Sequence, residues 1–419
     1  MTAQHPLALG IHDLAIATGH HVLDLDDLAA VNGVDPAKYH VGIGQDAFSV
    51  PAPDEDIVTM GAAAAKEVLD RHGVDGIRTV LFATESGVDQ SKAAGVYVHG
   101  LLGLPRNVRV VELKQACYGG TAAVQMALGI IARDPSERVL VIAADVARYD
   151  VETAAEPTQG AGAVAMLIAA DPDLIELEPQ SGLFTADVDD FWRPNDRSTA
   201  LVDGRLSVTA YVDAFIGAWD DLASRGGPGI EAIDRFVHHQ PFTKMAIKAH
   251  RKLAQHVGVP FEETELAVGF TYNRQTGNTY TASLWIALGA LLDLDDDLAG
   301  ARIGMFSYGS GSVGELMTGV VRDGYRDHRR DGRVTELLAA RVPLSVEAYR
   351  ELHAAGAATS EDVERPRVTA APFRFAGGVR WRSALRGDRD RTDGGQLSGS
   401  SSDPCGRPVP VPGRGRGRG

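Results

Sequence analysis

The sequence predicts an α/β protein that contains a duplicated unit. Strand-like and helix-like segments alternate through about residue 370, and three short polar motifs recur in the same order in each half. The 419 residues, of which 44% are hydrophobic, can form a large buried core. We therefore expect layers of helix and sheet, with functional groups from both halves meeting where strands end.

The predicted strands are short apolar segments, and the predicted helices are longer segments with apolar residues at helical spacing. The strands are expected at residues 79–83, 108–113, 139–143, 164–168 and 303–308. The helices are expected at residues 56–71, 121–132, 208–225, 243–256 and 281–292. This order of elements is typical of α/β layers rather than of an all-α or all-β fold.

The repeated motifs indicate the duplication. In the first half, ATESG with Glu85 precedes ACYGG with Cys117, and QGAGAVAM follows. In the second half, VHHQP with His239 precedes TGNTYTAS with Asn278, and YGSGSVGE with Ser310 follows. Each first motif ends a predicted strand, each second motif is a turn of small residues before a helix, and each third motif is rich in glycine. A common order of this kind predicts two related α/β halves.

We accordingly divide the chain into a first half of residues 1–170, a second half of residues 171–372 and a tail of residues 373–419. The segments GAGAVA and GSGSVG also match the dinucleotide-binding pattern GxGxxG/A. That pattern requires a strand before it, a helix after it and an acidic residue at the end of the next strand. Short strands or turns are predicted after both segments, so we expect no nicotinamide cofactor.

The tail differs in composition from the rest of the chain. Residues 373–419 contain ten Arg, four Asp and no Lys, which is a charge of +6 against −21 for the remainder. The segment ends in PVPVPGRGRGRG, a low-complexity sequence with nothing to bury. We expect it to be disordered and assign no chemistry to it or to its Cys405. A basic interaction tail is the alternative.

Composition excludes several classes of function. The formal net charge of −15 argues against nucleic-acid binding. We see no secretory leader at the N-terminus and no apolar segment near the roughly 18 residues that span a bilayer. The two cysteines lie far apart, which favours a reducing cytoplasm over a disulfide framework. We therefore expect a cytoplasmic protein without nucleic-acid or membrane partners.

Cys117 is a candidate nucleophile. It lies between a predicted strand and a predicted helix, and a helix N-terminus stabilises a thiolate through its unpaired N–H groups. Gly119 and Gly120 would let a substrate approach the backbone and let amides point at an oxyanion. A lone cysteine among small residues is more often inert packing, so the assignment depends on partners elsewhere in the sequence.

Glu85 and His239 are the candidate partners. Glu85 follows a buried strand, where desolvation would raise its pKa into the range of a general base. His238 and His239 are adjacent, so only one of them can face a shared site. A metal site is less favoured, because no third ligand occurs at a recognisable spacing. A core histidine remains the alternative for His238.

Basic and polar residues beside His239 suit a phosphate-bearing ligand. Lys244 and Lys248 lie four residues apart on one predicted helix. Asn278 can hold a carbonyl or orient a histidine, and Ser310 can offer its backbone N–H to an oxyanion. The alternatives are a solvated helix face for the lysines and ordinary turn chemistry for the other two.

Six segments resemble the 3-hydroxy-3-methylglutaryl-CoA synthase family, in particular its bacterial mevalonate-pathway type. They are ATESGVDQSK, ELKQACYGGTAA, EPTQGAGAVAM, HHQPFTKMAIKAH, GNTYTAS and FSYGSGSVGE. The resemblance covers roughly residues 7–375, and the sequence after Phe375 departs from it. It implies the thiolase-like condensing-enzyme fold, a duplicated five-layer α/β/α/β/α architecture.

The resemblance also implies roles for matching residues. Cys117 would take the acetyl group from acetyl-CoA, Glu85 would remove a proton from that acetyl group, and His239 would polarise acetoacetyl-CoA. Glu85 would later supply a proton to the new tertiary alcoholate. The substrates would be the only small molecules needed, with no cofactor or metal, and a homodimer is expected. Residues implied to support the acceptor or the oxyanion are Asn278, Tyr280 and Ser310, and residues implied to contact acyl-CoA are Asp35, Thr158, Ser207, Lys244 and Lys248.

Three alternatives remain at this point. A related enzyme of polyketide β-branching would take its acyl groups from carrier proteins, and the motifs barely separate it from a CoA-dependent enzyme. A thiolase or ketoacyl synthase would use a second cysteine or a His/His or His/Asn set, and the Glu85 motif argues against that. A catalytically silent acyl-CoA binding protein is disfavoured by the complete set of Glu85, Cys117 and His239.

Overall fold

The computed structural model of the protein describes residues 7–356, 363–379 and 382–387. The α-helices are α1 (Leu25–Asn32), α2 (Ile57–His72), α3 (Ala94–Leu102), α4 (Gly119–Arg133), α5 (Gly204–Ser224), α6 (Thr243–Val257), α7 (Asn273–Thr276), α8 (Ser283–Leu294), α9 (Tyr325–His328), α10 (Arg333–Ala339) and α11 (Val346–Ala355). The strands are β1 (Leu9–Thr18), β2 (His21–Asp24), β3 (Ala47–Val50), β4 (Ile77–Ala83), β5 (Arg109–Leu113), β6 (Arg138–Ala147), β7 (Gly160–Ala170), β8 (Ile175–Thr185), β9 (Phe191–Trp192), β10 (Leu201–Val202), β11 (Arg235–His238), β12 (Arg302–Gly309), β13 (Val313–Val321), β14 (Val342–Pro343), β15 (Val363–Glu364), β16 (Phe373–Val379) and β17 (Arg382–Gly387).

The ten predicted elements are confirmed, with ends that shift by a few residues. The start of α2 shows why. Asp56 forms a capping box with Thr59, in which the Asp56 Oδ1 accepts from the Thr59 N–H at 2.8 Å and the Thr59 Oγ1 accepts from the Asp56 N–H at 2.9 Å. Asp56 therefore caps the helix instead of forming its first turn.

The main sheet contains two copies of one strand pattern. The first half is ordered β5-β4-β6-β7-β1 and the second half continues as β8-β13-β12-β11. The parallel pair β4–β6 corresponds to the parallel pair β11–β12. The next two pairs are antiparallel in both halves: β6–β7 and β7–β1 in the first, and β12–β13 and β13–β8 in the second. Within the described residues, β5 lacks a counterpart in the second half, where the chain between α6 and α8 forms short 3₁₀ turns and α7.

The two copies meet at β1 and β8. Their antiparallel pairing is limited to Gly10 with Glu176 and Ile11 with Ile175. A Cβ at Gly10 would lie 2.0 Å from the Ile175 carbonyl oxygen, so this close approach requires glycine. The junction also marks the change between halves, since β7 ends at Ala170 and β8 begins at Ile175.

Three hydrophobic clusters show how the layers stack. A central cluster contains α4 and α8 together with strand residues of both halves. A second cluster packs α2 and α3 on the first-half strands, and a third packs α5 and α6 on the second-half strands. Along β6, Val139 and Val141 belong to the central cluster whereas Leu140 and Ile142 belong to the second. The order helix, sheet, helix, sheet, helix confirms the predicted five-layer fold.

The folded structure extends beyond the predicted boundary of the tail. The predicted tail starts at residue 373, but Phe373 and Phe375 are buried in β16, and Phe373 packs in the same cluster as α2. The Phe375 N–H donates to the Asp54 carbonyl oxygen at 2.8 Å. β16 pairs with β15 and β17, so the prediction was wrong for residues 373–379 and 382–387. The rest of the predicted tail, with Cys405, lies outside the described residues.

None of the helices in these ranges has the length and apolar character needed to cross a membrane.

Candidate active site

Cys117 lies in a short turn between β5 and α4. Ala116, the residue before it, has a φ of 43°, in the left-handed region that residues other than glycine rarely adopt. Cys117 is 8% exposed, and α4 starts two residues later at Gly119. Its neighbours in the hydrophobic cluster include Tyr149 and Tyr280. The thiol is therefore nearly buried, with tyrosine side chains among its neighbours.

The two glycines after Cys117 serve the packing of the two halves. A Cβ at Gly120 would lie 2.5 Å from the Thr281 carbonyl oxygen and 2.9 Å from the Trp285 Nε1. A Cβ at Gly119 would also face Thr281, at 3.4 Å from its Cγ2. Glycine is therefore required at position 120 for the two halves to pack, and the approach of a substrate to this backbone stays a prediction.

Glu85 is the direct partner of Cys117. It follows β4, the strand beside β5, so the ends of two parallel strands bring both side chains together. The Cys117 Sγ–H donates to the Glu85 Oε1 across 3.3 Å. Glu85 is as buried as the thiol, at 8% exposed. A thiol and a carboxylate at this distance can exchange a proton directly.

Burial favours the neutral forms of Glu85 and Cys117. Loss of solvation, with a smaller contribution from the negative charge of Asp145, raises the pKa of Glu85 to about 8. Burial and the charges of Glu85, Asp145 and Asp190 raise the pKa of the Cys117 thiol well above its ordinary value. The predicted shift of Glu85 is confirmed, but the expected stabilisation of the thiolate by the helix was wrong, because desolvation and nearby acids outweigh the helix N-terminus.

Asp145 is a site residue that the sequence analysis missed. It is fully buried in β6, and its Oδ1 accepts from the Glu85 N–H at 2.9 Å and from the Thr84 hydroxyl at 2.8 Å. Its Oδ2 accepts from the Thr281 N–H at 3.1 Å. Asp145 therefore links the end of β4, which is followed by Glu85, to the second half. The signal in the sequence was a single acid within the apolar run VLVIAADVA.

His239 follows β11 and is 1% exposed. Its backbone N–H donates to the Phe306 carbonyl oxygen at 2.8 Å, and its carbonyl oxygen accepts from the Tyr211 hydroxyl at 2.7 Å. Burial lowers the pKa of His239 to about 3, so its imidazole is neutral at physiological pH. The ring Nδ1 has no hydrogen-bond partner among the described residues.

Tyr211 is buried beside His239. Its hydroxyl holds the His239 backbone, and burial, with smaller contributions from Tyr308 and Cys117, raises the pKa of Tyr211 well above its ordinary value. His238 faces away from this group, since its Nε2 lies 3.2 Å from the His250 Nδ1 among phenylalanine side chains. His238 is therefore the core histidine of the adjacent pair.

Asn278 and Tyr280 line the same pocket. The Asn278 Oδ1 accepts from the Tyr280 N–H at 2.9 Å, and the Asn278 Nδ2 lies 3.4 Å from the Tyr149 hydroxyl. Tyr149, Tyr280 and Phe191 form edge-to-face ring contacts with one another. Asn278 thus holds these aromatic side chains in place, and among the described residues the hydrogen bonds of its side chain are with Tyr149 and Tyr280.

Ser310 lies in the turn between β12 and β13, which packs against the nucleophile turn. The Gln115 Nε2 donates to the Ser310 carbonyl oxygen at 3.2 Å. A Cβ at Gly309 would lie 2.5 Å from the Gln115 carbonyl oxygen and 2.7 Å from the Tyr118 Cβ. Neither glycine-rich motif opens a helix, since one starts β7 and the other forms this turn.

Asp190 is a second residue that the sequence analysis missed. It is fully buried, its Oδ2 accepts from the Tyr308 hydroxyl at 2.9 Å, and its Oδ1 accepts from the Gly311 N–H at 2.9 Å. Asp190 therefore fixes the turn that contains Ser310. Its neighbours Asp187 and Asp189 in the sequence ADVDDFW gave no basis for choosing it.

The five residues predicted to contact acyl-CoA are distributed around the site. Thr158 is adjacent to it, because its carbonyl oxygen accepts from the Asn278 N–H at 3.3 Å. The Lys244 Nζ pairs with the Glu263 Oε2 at 3.0 Å, and the Lys248 Nζ lies 5.4 Å from the centre of the Phe242 ring.

Asp35 and Ser207 have local contacts. The Asp35 carboxylate is exposed and accepts from the Ala37 N–H at 2.9 Å, and the half-buried Ser207 donates its N–H to the Asp203 carbonyl oxygen at 2.8 Å. The loop after Asp35 reaches α6, since a Cβ at Gly44 would lie 3.4 Å from the backbone nitrogen of Lys244. Among the described residues, neither Asp35 nor Ser207 forms a hydrogen bond with Cys117 or Glu85. No cluster of three or more His, Cys, Asp or Glu side chains in those residues could hold a metal ion.

A five-layer α/β fold with a buried cysteine, an adjacent carboxyl group and a buried histidine is that of a condensing enzyme of the thiolase-like class. The chain belongs to the hydroxymethylglutaryl-CoA synthase family. Residues 5–173 match the family's N-terminal region, "Hydroxymethylglutaryl-coenzyme A synthase N terminal", and residues 248–355 match its C-terminal region.

Individual relatives agree with this assignment. The chain is 40% identical to the hydroxymethylglutaryl-CoA synthase of Enterococcus faecalis over 352 residues, which cover 83% of this chain and 92% of the relative. It is 33% identical to the polyketide biosynthesis 3-hydroxy-3-methylglutaryl-ACP synthase of Bacillus subtilis, with 83% and 88% covered. A crystal structure of HMG-CoA synthase complexed with CoA superposes with a TM-score of 0.85 at 34% identity, with 91% of this chain and all of the other covered.

The raised pKa of Glu85 predicts a pH-dependent cost in stability. The folded protein keeps the Glu85 proton until its pKa of about 8, whereas the unfolded chain releases it near 4.5. The free energy of unfolding therefore falls as pH rises through this window. We expect Glu85→Gln to melt at a higher temperature than the wild type, with a difference that grows from pH 5 to pH 8 in calorimetry.

Glu156→Gln is the matched control for Glu85→Gln. Glu156 is also fully buried, but it pairs with Arg350 at 3.3 Å. Its substitution should lower the melting temperature across this pH range, because it breaks a buried ion pair. A constant difference between Glu85→Gln and the wild type at all pH values would contradict the assignment of Glu85 as a neutral buried acid.

The contact between the Ser310 turn and the nucleophile turn predicts that Gly309→Ala is destabilising. The added Cβ would overlap the Gln115 carbonyl oxygen and Tyr118. We expect a loss of about 1–3 kcal/mol in the free energy of unfolding, measured by urea denaturation. Gly100→Ala in α3 is the control, because a Cβ there meets nothing within 4 Å and alanine favours helix. Equal stability of the two variants would exclude tight packing at this contact.

Proposed function

We propose that the protein condenses acetyl-CoA with acetoacetyl-CoA and water to give 3-hydroxy-3-methylglutaryl-CoA and CoA, as an enzyme of the mevalonate pathway. The observation that carries this proposal is the buried contact of 3.3 Å between the Cys117 thiol and Glu85 in a chain of this family. A cysteine next to a carboxylate base supplies both an acyl carrier and a group that moves protons.

In the first step, Glu85 in its ionised form accepts the thiol proton while the Cys117 sulfur attacks the acetyl carbonyl. The bond between the acetyl group and CoA breaks, the departing CoA sulfur takes that proton from Glu85 and leaves as a thiol, and acetyl-Cys117 remains beside an ionised Glu85. The hydrogen bond from the Sγ to the Oε1 already places this proton for transfer. The raised pKa of Glu85, about 8, makes its ionised form a stronger base than an ordinary carboxylate.

In the second step, Glu85 removes a proton from the methyl group of acetyl-Cys117. The resulting carbanion attacks the ketone carbon of acetoacetyl-CoA, and the new alkoxide takes a proton from Glu85. His239 donates a hydrogen bond to the ketone oxygen as a neutral imidazole, in keeping with its lowered pKa. Water then cleaves the thioester to Cys117 and releases the product.

The remaining predicted residues support these steps. The Cys117 N–H and the backbone N–H of Ser310 form an oxyanion hole, since their turns pack together. Asn278 and Tyr280 shape the acyl pocket. The thioester, the base and these donors supply what a Claisen-type condensation requires, so we propose that no cofactor takes part. The groups that contact acyl-CoA are Asp35, Thr158, Ser207, Lys244 and Lys248.

Free CoA rather than a carrier protein is the proposed donor. Sequence identity is 40% to the CoA-dependent relative from Enterococcus and 33% to the ACP synthase from Bacillus. The carrier-dependent reaction is the second candidate, because a structure of the curacin pathway HMG synthase with its donor ACP superposes as well as the CoA complex does, at a TM-score of 0.85. We propose a cytoplasmic location, where both CoA esters are available.

We also propose that the protein is a homodimer formed through β5. This strand pairs with β4 along one edge, and within the described residues its other edge is unpaired. Val111 on β5 is 42% exposed, and Met126 on the adjacent α4 is 51% exposed. An open sheet edge beside exposed apolar side chains suits pairing with a second copy of the same strand.

Intact mass spectrometry tests the proposed reaction. After incubation with acetyl-CoA alone, we expect one added acetyl group on the wild type and none on Cys117→Ala. Glu85→Gln should acquire the group more slowly by about 100-fold, since general acid–base groups contribute rate factors of roughly 10²–10⁴. Acetylation by an acetylated carrier protein but not by acetyl-CoA would favour the polyketide reaction. Absence of the adduct with both donors would overturn the assignment of Cys117 as the nucleophile.

Light scattering after size exclusion tests the dimer. Met126→Glu should convert the dimer to a monomer, because it places a charge in the proposed apolar interface. Val31→Glu is the control, since Val31 is also exposed on a helix, α1, at 59% but lies on a different surface. A dimeric mass for Met126→Glu would place the interface elsewhere, and a monomeric wild type would exclude it.

A further inference from the structure

Glu315 is a buried acid that the proposed mechanism does not use. It lies on β13 within the motif YGSGSVGE and is 2% exposed. Its Oε2 accepts from the Tyr118 hydroxyl at 2.7 Å, and its Oε1 accepts from the Gln125 Nε2 at 2.7 Å. Both partners come from the first half, so one carboxylate of the second half binds two donors across the interface between halves.

The residue that Glu315 binds is next to the nucleophile. Tyr118 follows Cys117 directly and precedes the first residue of α4. On the other side of Cys117, Gln115 donates to the Ser310 carbonyl oxygen at 3.2 Å. Residues flanking the nucleophile are therefore anchored to the same hairpin of β12 and β13.

The turn that carries Cys117 needs such anchors. Ala116 has a φ of 43°, a backbone conformation that persists in a residue other than glycine only when surrounding contacts hold it. Glu315 is a rigid point of attachment, because β13 is hydrogen-bonded to a strand on each side, with Glu315 opposite Ser307 and Leu183. The sheet therefore fixes the position of Glu315, which does not depend on the conformation of a loop.

From these contacts we infer that Glu315 is a positioning residue for Cys117, which it holds in place for attack on the acetyl donor through the Tyr118 hydroxyl. This inference rests on the proposed acetyl transfer to Cys117. Two donors aimed at one buried carboxylate fix its orientation as well as its location. A small displacement of a nucleophile costs rate without weakening substrate binding, because the binding contacts lie elsewhere.

Single-turnover acetylation tests this role. Rapid quenching and intact mass give the rate of acetyl-Cys117 formation at several acetyl-CoA concentrations. We expect Glu315→Gln and Tyr118→Phe each to lower the saturating rate about tenfold, with the half-saturating concentration unchanged. The double variant should be no slower than the slower single variant, because both changes break one link.

Tyr272→Phe is the matched control. The Tyr272 hydroxyl donates to the Asp293 Oδ2 at 3.1 Å, so this is also a buried tyrosine–acid pair, but it lies near the far end of α8. Its removal should lower the melting temperature and leave the acetylation rate unchanged.

The outcomes separate the two proposals. Loss of stability with normal acetylation in Glu315→Gln and Tyr118→Phe would reduce the contact to a structural one and overturn the inference. Fully additive rate losses in the double variant would also overturn it, since the two residues would then act separately. Failure of the wild type itself to form acetyl-Cys117 would instead overturn the proposed function.

Discussion

The buried carboxylate of Asp145 is the interaction on which the site depends. Its Oδ1 binds the end of β4, where Glu85 lies, and its Oδ2 binds Thr281 at the start of the second-half helix α8. An unpaired buried charge would cost several kcal/mol, so its donors are part of the fold rather than an addition to it. The same charge contributes to the raised pKa of Glu85. One carboxylate thus joins the two halves and adjusts the base.

Much of the fold and the centre of the site could be predicted from the sequence because their signals are local. Strands and helices follow from apolar patterns, and Glu85, Cys117 and His239 each end a predicted strand or precede a helix. Asp145 could not be chosen in this way, because its partners lie 60 and 136 residues away in the chain. The packing role of Gly120 could not be predicted either, because the sequence does not show that Thr281 lies against it. The predicted start of the tail at residue 373 was wrong, because the short strands at that point have a composition similar to that of the basic segment after them.

Burial gives the site a consistent electrostatic character. The pKa of Glu85 rises to about 8 and the pKa of His239 falls to about 3, so desolvation moves an acid and a base in opposite directions toward neutral forms. The thiol of Cys117 is held neutral by the same cause. A thiolate prepared in advance would require a permanent buried charge next to Asp145 and Asp190. In the proposed mechanism, the ionised form of Glu85 takes the thiol proton only as the sulfur attacks, and the contact of 3.3 Å between the two side chains suits that transfer.

The duplication explains how such a site is assembled. Glu85 after β4 corresponds to His239 after β11, and Cys117 before α4 corresponds to Asn278 before α8. Equivalent positions in two copies of one fold therefore supply Glu85 and Cys117, which are in contact, and Asn278, whose tyrosine partners lie in the same cluster as Cys117. The central helices α4 and α8 share one hydrophobic cluster, so neither half has a complete interior without the other. The anchors at Asp145 and Glu315 lie where the two halves meet, so the packing of the halves also fixes the residues around Glu85 and Cys117.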